Sequence, residues 1–180
     1  MPTAVAEDQE TSFWRPPRWA APASLVVCVL GIAVASYLTY AHYTDASNLA
    51  CSDSGTINCA KVTTSAQSRF LGMPVAVLGL VYFVALAALC LPYAWRRPEP
   101  RVRLFRLAAV GGGMVMVLWL VYAELFIIDA ICLWCTIVHV LTLILLVVVV
   151  AATLSGTTRP AGDFGDVDDF DDDDADELTD

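Results

Sequence analysis

Four long runs of apolar residues alternate with polar segments along the chain. The runs cover about Trp19–Ala41, Gly72–Tyr93, Leu107–Ile128 and Ala130–Ala152, and they contain almost no charge. Each is close to the roughly 20 residues that a helix needs to cross a bilayer. Strands are a poor alternative, because an open sheet edge cannot satisfy its backbone polar groups in lipid. The pattern therefore predicts an all-α integral membrane protein with a four-helix transmembrane bundle.

The composition supports this prediction, and the acidic charge of the chain is concentrated in one segment. Hydrophobic residues make up 58% of the 180 residues and charged residues 16%, against roughly 45–50% and about 25% in soluble domains. The formal net charge is −9, yet Asp163–Asp180 alone holds 11 acidic residues and no basic ones. The rest of the chain is slightly basic, with 10 positive and 8 negative charges. The acidity thus belongs to a tail, and nothing favours a nucleic-acid partner.

The positive charges predict the orientation, because cytoplasmic loops of membrane proteins are enriched in Lys and Arg. Eight of the ten basic residues lie at one end of the predicted bundle, namely Arg15, Arg18, Arg96, Arg97, Arg101, Arg103, Arg106 and Arg159. The other end carries only Lys61 and Arg69. We therefore expect both termini in the cytoplasm.

This orientation divides the chain into segments. Residues 1–18 form a cytoplasmic N-terminal segment, and residues 19–152 form the transmembrane domain. An exterior loop covers residues 43–71, and a cytoplasmic loop covers residues 94–106. The first apolar run is interpreted as an uncleaved helix, because it is longer than the roughly 7–15 apolar residues of a signal peptide. Residues 153–180 form a cytoplasmic tail whose aspartate-rich composition predicts disorder.

Two pairs of cysteines fall at the outer end of the predicted bundle. Cys51 and Cys59 lie in the exterior loop, while Cys132 and Cys135 form a Cys-Leu-Trp-Cys motif at the outer start of the fourth helix. Compartments outside the cytoplasm permit disulfides. A spaced pair beside a close pair in such a compartment predicts disulfide exchange.

The position of the close pair favours reactive thiols. A helix that starts at the outer face presents unpaired N–H groups and a partial positive charge there, and these can lower a thiol pKa. We expect Asp129 to cap this helix, Cys132 to be exposed in its first turn, and Cys135 to be buried one turn deeper. Such a pair can pass electrons from water to an acceptor dissolved in lipid. Cys28 and Cys90 lie inside apolar runs and are interpreted as small buried hydrophobic residues.

A lipid-soluble quinone is the predicted electron acceptor, since the sequence has no convincing site for haem, flavin or an iron–sulfur cluster. A quinone needs only an apolar cleft with a few polar groups, and Ser65 and His139 are the candidates to bind it. His139 follows Cys135 by four residues and so lies on the same helix face, one turn deeper. An ionisable residue inside a membrane span indicates function. The alternative for His139 is a hydrogen bond to a neighbouring helix.

Other uses of the four outer cysteines remain open. Four thiolates suit a structural zinc site, although the spacing of Cys51 and Cys59 is wide and an oxidising exterior disfavours free thiolates. Both pairs could instead be structural disulfides that clip the exterior loop. The protein would then be a non-enzymatic four-helix membrane scaffold. Catalytic bridges exchange readily while structural ones resist reduction, so reducibility distinguishes these hypotheses.

Several motifs occur together in one order along the chain. A spaced cysteine pair follows the first helix, a serine lies six residues past its second cysteine, and a Cys-x-x-Cys opens the fourth helix. The stretches Leu-Gly-Met-Pro-Val-Ala at 71–76 and Cys-Leu-Trp-Cys-Thr-Ile-Val-His at 132–139 accompany them. Over about Ala20–Ala152, this layout resembles the bacterial branch of the vitamin K epoxide reductase family. DsbB-type oxidases have similar chemistry but the reverse order of the two cysteine pairs.

The resemblance implies a quinone-dependent thiol–disulfide oxidoreductase in a bacterial inner membrane, with its redox-active cysteines on the outer face. Cys135 would react with the quinone, and Cys132 would exchange with Cys59. Cys51 would be the exposed partner of Cys59 and would receive electrons from a thioredoxin-fold protein. Ser65 would lie in a short loop helix and hydrogen-bond a quinone oxygen.

The resemblance also implies the partners. Menaquinone or ubiquinone would take the electrons, and His139 would stand at a pocket position that the family has on its fourth helix. Many bacterial relatives carry a fused thioredoxin-like domain, whereas this chain ends in the acidic tail. We therefore expect a separate DsbA-like thioredoxin-fold partner. The activity would support disulfide bond formation outside the cytoplasm.

Overall fold

Helices form along the apolar runs, and shorter elements fill the segments between them. The computed structural model describes residues 13–45, 49–51, 55–96 and 99–159. In chain order, the helices are α1 (Ala20–Tyr43), α2 (Cys59–Thr63), α3 (Val75–Leu89), α4 (Pro92–Arg96), α5 (Pro100–Ala123) and α6 (Leu133–Leu154). A 3₁₀ turn at Ala66–Ser68 follows α2, and a π-helical turn at Glu124–Ile128 continues α5. The short strands are β1 (Phe13–Arg15), β2 (Arg69–Phe70), β3 (Met73–Pro74) and β4 (Thr157–Arg159).

The long helices α1, α3, α5 and α6 pack into a bundle, in which α1 and α5 each contact both α3 and α6. The core between them is apolar, and Phe83 and Leu145 are fully buried in it. Two glycines allow side chains of α3 to approach other helices closely. A Cβ atom at Gly31 of α1 would collide with the Phe83 ring, and one at Gly113 of α5 would collide with Tyr82.

The outer faces of the bundle are apolar as well. The large side chains of Phe105, Val115 and Phe126 are 67%, 69% and 73% exposed. A broad apolar surface of this kind indicates contact with a membrane or a partner. Among the described residues, three helical segments are long and apolar enough to cross a membrane, namely Ala20–Tyr43, Pro100–Ile128 and Leu133–Leu154. The fold is that of a helical membrane protein.

Helix α3 is shorter than the predicted run Gly72–Tyr93. It has 15 residues, which at roughly 1.5 Å per residue span about 22 Å, against about 30 Å for a hydrocarbon core. At its start, β2 and β3 pair as a hairpin that keeps Pro74 extended, so the helix begins at Val75. At its other end, the helix stops at Cys90 and the chain turns into α4. Local turns therefore interrupt the apolar run at both ends.

The predicted cytoplasmic loop at 94–106 is largely helical, which corrects that prediction. Helix α4 extends to Arg96, and α5 begins at Pro100. Proline is favoured in a first helical turn, because its missing N–H would have no partner there. Arginine is a good helix former, so the basic segment continues α5 towards its N-terminus. Arg106 is only 2% exposed and belongs to the bundle rather than to a loop.

Helix α6 begins later than predicted. Asp129 was expected to cap it, but Asp129 has a left-handed conformation with a φ of 51° and ends the π-helical turn. Ile131 instead forms a backbone bridge with Ile57 in the loop between α1 and α3. The residue that caps α6 is Cys132, whose sulfur accepts a hydrogen bond from the Cys135 N–H at 3.3 Å. The prediction was wrong because the backbone N–H and carbonyl of Ile131, expected in the first turn of the helix, form hydrogen bonds with the loop instead.

Backbone pairing joins the two ends of the described chain. Strands β1 and β4 pair antiparallel, with Phe13 opposite Arg159 and Arg15 opposite Thr157. This pairing brings the start of α1 and the end of α6 together. Residues 13–15 and 157–159 thus have regular structure, so the expected disorder from residue 153 onward is wrong for this part. Residues 1–12 and 160–180, which include the acidic run, lie outside the described residues.

Candidate functional site

Backbone hydrogen bonds hold the loop between α1 and α3 against the start of α6. The Ile131 N–H donates to the Thr56 carbonyl at 2.9 Å, and the Asn58 N–H donates to the Ile131 carbonyl at 3.1 Å. Asn58 also caps α2 through its side chain. As a result, Cys59 at the start of α2 and Cys132 at the start of α6 are buried in one apolar cluster.

The spaced cysteine pair forms a disulfide in this loop. Cys51 and Cys59 are bonded to each other, with their Cα atoms 6.2 Å apart. Cys59 is 1% exposed, whereas Cys51 is only partly buried. The bond is therefore more accessible from the Cys51 side than from the Cys59 side. The zinc hypothesis needed four free thiolates, and two of those sulfurs are joined here.

Trp134, inside the Cys-x-x-Cys motif, fixes the loop next to Cys51. Its indole N–H donates to the Ala50 carbonyl at 3.2 Å. Its ring centroid lies 4.7 Å from that of Tyr37 on α1, and the Tyr37 hydroxyl accepts a hydrogen bond from the Ala50 N–H at 3.0 Å. Trp134 thus holds the loop at Ala50, next to the disulfide. The spacing of the motif did not predict this contact.

Cys132 and Cys135 carry free thiols that hydrogen-bond to each other. Cys132 is 0% exposed, whereas Cys135 is partly exposed and lines a cavity. The prediction that Cys132 would be exposed is therefore wrong, whereas Cys135 faces the apolar space between the helices, as expected of the deeper cysteine. The reason is that the loop covers Cys132, while α6 turns Cys135 towards the space between the helices.

The surroundings of Cys132 favour its thiolate. This residue precedes α6 and lies outside the membrane-spanning helices. The hydrogen bond from the Cys135 thiol is the largest cause that lowers the pKa of Cys132, and the backbone N–H groups of Cys135 and Trp134 lower it further. Burial and the nearby Glu124 carboxylate act in the opposite direction, but the pKa of Cys132 still lies below its ordinary value. Because the thiolate is the nucleophile, Cys132 is well suited to attack a disulfide.

An apolar cavity of about 550 Å³ opens among the helices next to Cys135. Volumes of about 300–1,000 Å³ are typical of pockets that bind small molecules. Apolar residues of α1, α3, α5 and α6 form most of its wall, and the segment around the 3₁₀ turn closes one part of it. The polar and ionisable residues with larger side chains on this wall are His42, Gln67, Tyr82, Glu124 and His139.

Both residues predicted to bind a quinone line this cavity. Ser65 directly precedes the 3₁₀ turn, and its hydroxyl donates to the Val62 carbonyl at 2.7 Å. Its proton is thus used within the loop, so the hydroxyl must rotate before it donates to a ligand. His139 follows Cys135 by one turn of α6 and is 8% exposed. The apolar wall and these polar groups suit a quinone ring.

Glu124 was not among the predicted site residues, although it also lines the cavity. It is 6% exposed, and its carboxylate accepts a hydrogen bond from the backbone N–H of Cys132. The sequence did contain a signal for it. Glu124 is an acidic residue within the apolar run Leu107–Ile128, and ionisable residues inside a span indicate function. The same reasoning had selected His139.

A helical membrane bundle with a loop disulfide, an adjacent dithiol and an apolar cavity has the parts of a membrane thiol–disulfide oxidoreductase. Comparison with known proteins agrees, because the family model described as "Vitamin K epoxide reductase family" matches residues 22–150, well over half of the chain. The chain therefore belongs to the vitamin K epoxide reductase family. This result confirms the resemblance seen in the motifs, and the protein is a membrane oxidoreductase that acts on thiols and disulfides.

Proposed function

We propose that this oxidoreductase passes electrons from a separate DsbA-like thioredoxin-fold protein to a membrane quinone, menaquinone or ubiquinone. The observation that carries the proposal is the position of Cys135 on the wall of the apolar cavity. A quinone is lipid-soluble, and when bound it accepts two electrons and two protons. The cavity offers an apolar site for such a ring beside a free thiol. The activity would support disulfide bond formation outside the cytoplasm.

Each cysteine has one role in the proposed relay. A thiol of the partner attacks Cys51 and opens its bond to Cys59. The freed Cys59 thiolate then attacks Cys132 in an oxidised Cys132–Cys135 bond, and Cys135 leaves as the thiol. Two observations support this order: Cys59 and Cys132 lie in one buried cluster, and Cys51 is the more exposed end of the loop disulfide. The partner's second thiol then displaces Cys51 and closes the partner's own disulfide. The freed Cys51 thiolate attacks Cys59, restores the loop disulfide and releases Cys132. The Cys132–Cys135 dithiol would give two electrons and two protons to the quinone as its sulfur–sulfur bond forms again.

We also propose that all four long helices cross a bacterial inner membrane, with the cysteines outside and both termini in the cytoplasm. Helix α3 is short for a full crossing, but the β2–β3 hairpin and α4 extend it at its two ends. Arg96, Arg101 and Arg103 lie at the end of the bundle where α3 finishes and α5 starts, which supports this orientation by the positive-inside rule. The pairing of β1 with β4 agrees with termini on one side.

The test is quinone reduction by the detergent-purified protein, supplied with either a reduced thioredoxin-fold protein or a small dithiol. Wild type should reduce the quinone with both donors. Cys135→Ala should be inactive with both, since it lacks the thiol on the cavity wall. Cys51→Ala should fail only with the protein donor, because a small dithiol does not depend on the exposed end of the loop disulfide.

Cys28→Ala is the matched control for this experiment. It removes a fully buried thiol that does not line the cavity, so its activity should equal that of wild type. A wild type that is inert with both menaquinone and ubiquinone, and whose disulfide resists the donors, would contradict the proposal. The non-enzymatic membrane scaffold would then be the better hypothesis.

A further inference from the structure

The proposed reaction moves protons as well as electrons, and few groups in the cavity can hold a proton. Two thiols lose two protons and two electrons as their sulfurs join, and the acceptor gains both. Most of the cavity wall is apolar. Among the described residues on this wall, the ionisable ones are His42, Tyr82, Glu124, Cys135 and His139.

Of these groups, Glu124 is the carboxylate that interacts with both sulfurs of the dithiol. It acts electrostatically on Cys132 and on Cys135, and it accepts a hydrogen bond from the Cys132 N–H. Its side chain also lines the cavity. Glu124 therefore connects the dithiol with the space that the acceptor would occupy.

The backbone explains how an acidic side chain reaches this position. Glu124 is the first residue of the π-helical turn, and its carbonyl accepts a hydrogen bond from the Ala130 N–H at 3.1 Å. A π-helical turn is a wider turn than an α-helical one, and such turns are frequent at functional sites. Glu124 itself has α-helical backbone angles and its N–H donates to the Leu120 carbonyl, so α5 positions it and the wider turn follows it.

The neighbouring elements supply several basic groups at this end of the bundle, and His42 of α1 is one of them on the cavity wall. Lys61 of α2 is exposed, and its Nζ donates to the Asp129 carbonyl at 3.4 Å. His139 of α6 lines the cavity one turn beyond Cys135. Glu124 carries the carboxyl group among the described residues of the cavity wall, and of these neighbours it is the one that acts on the Cys132 thiol.

We propose that Glu124 carries protons from the Cys132–Cys135 dithiol to the acceptor in the cavity, a role that rests on the proposed function. The carboxylate takes a proton from one thiol and leaves a thiolate. The carboxylic acid so formed releases that proton to an acceptor oxygen. A second cycle moves the second proton as the sulfur–sulfur bond forms, so Glu124 ends as it began.

The first test needs no quinone. It follows thiolate formation across pH in the reduced protein by ultraviolet absorbance, and the Cys132→Ser variant provides the baseline that isolates Cys132. Glu124→Gln keeps the shape of the side chain but removes its charge. Because that charge opposes a nearby thiolate, Cys132 should ionise at lower pH in the variant than in wild type. An unchanged titration would overturn the proposal.

The second test compares the two halves of the reaction. Glu124→Gln should slow quinone reduction about 100-fold or more, the usual scale of general acid–base catalysis. Reduction of the Cys51–Cys59 disulfide by the donor should keep its wild-type rate, which also shows that the variant is folded. Glu124→Asp should recover part of the lost activity, since it retains a carboxyl group.

Asp129→Asn is the matched control. It neutralises a carboxylate close in sequence that does not line the cavity, and asparagine tolerates the left-handed conformation at this position. Its rates should equal those of wild type. If wild type and Glu124→Gln reduce the quinone at equal rates, the proton-carrier role of Glu124 is wrong and the proposed function stands. A wild type that reduces no quinone would overturn the proposed function, and the proton-carrier role with it.

Discussion

Two pairs of free thiols lie in different parts of the bundle, and their surroundings differ. Cys132 and Cys135 lie next to the cavity and next to the disulfide-bearing loop. Cys28 and Cys90 come from α1 and from the end of α3, are both fully buried, and hydrogen-bond to each other. Neither of these two lines the cavity. Mutual contact is therefore common to both pairs, and access to the cavity is what separates them.

The pair Cys28 and Cys90 lies next to a structural arginine. Arg106 donates from Nε and Nη2 to the Leu89 carbonyl at 3.0 and 2.7 Å. Its guanidinium lies 3.7 Å from the Trp95 ring centroid and also interacts with the Cys90 thiol. These contacts join the ends of α3, α4 and α5. This end of the bundle thus holds helices together, while the other end brings the loop disulfide next to the Cys132–Cys135 dithiol.

The largest expected effect comes from Arg106→Ala and tests whether the two ends are independent. The change removes packing against Trp95 and leaves the Leu89 carbonyl without these donors, at a cost of about 3 kcal/mol in the free energy of unfolding. For a chain of this size, such a loss lowers Tm by about 6–12 °C. Thermal unfolding in detergent measures this shift, and quinone reduction per folded molecule should stay unchanged.

Arg101→Ala is the control for this prediction, because Arg101 is an exposed residue in the first turn of α5. Its stability should change by no more than about 0.5 kcal/mol. If quinone reduction per folded molecule fell together with Tm in Arg106→Ala, the separation of the two ends would be wrong.

A smaller effect is expected where Tyr82 of the cavity wall packs against α5. Tyr82 lines the cavity, and its ring packs against Gly113. Gly113→Ala would force the Tyr82 side chain to move, so we expect a loss of about 1–3 kcal/mol in the free energy of unfolding. Gly112→Ala is a matched change, because a Cβ atom there meets open space. It should be neutral or stabilise the helix by up to about 1 kcal/mol. Equal unfolding midpoints for the two variants would contradict the close approach.

The helices and the main site residues could be predicted from sequence, because each follows from a local rule. Apolar runs of spanning length predict helices in lipid, and three of them overlap the helical segments of spanning length, while the remaining run contains the shorter α3. Four outer cysteines predicted the disulfide between Cys51 and Cys59 only as one of several possibilities. The cavity contacts of Ser65 and His139 agree with their selection as candidates, while their roles stay predictions.

The remaining features depend on contacts between distant segments. The bridge from Ile57 to Ile131 keeps the residues before Leu133 out of α6, and it also brings the loop over Cys132. No helix periodicity contains that information, so both the helix start and the expected exposure of Cys132 were wrong. Glu124 is a different case, because its charge within an apolar run was visible in the sequence. Its contact with Cys132 depends on how the chain turns between residues 124 and 132, which the apolar pattern does not reveal.

The smallest expected effect concerns the pKa of Cys132 and sharpens the contrast between the two thiol pairs. The hydrogen bond from Cys135 is the main cause that lowers this pKa. Cys135→Ala should therefore raise the pKa of Cys132 towards its ordinary value, whereas Cys28→Ala should leave it unchanged. Thiolate absorbance across pH in the reduced protein measures both. Coincident titrations of wild type and Cys135→Ala would contradict this assignment.

The lowered pKa also fixes the sign of a stability effect in the reduced protein. The folded protein holds the Cys132 thiolate at pH values where the unfolded chain still holds the thiol. Ionisation of Cys132 therefore stabilises the fold fully above the unfolded pKa of about 8.5, and this stabilisation is lost as the pH falls through the folded value. Each unit of difference corresponds to about 1.4 kcal/mol. Between those two pH values, the stability of reduced wild type should rise with pH more steeply than that of Cys135→Ala, because only the wild type retains the hydrogen bond that favours the thiolate.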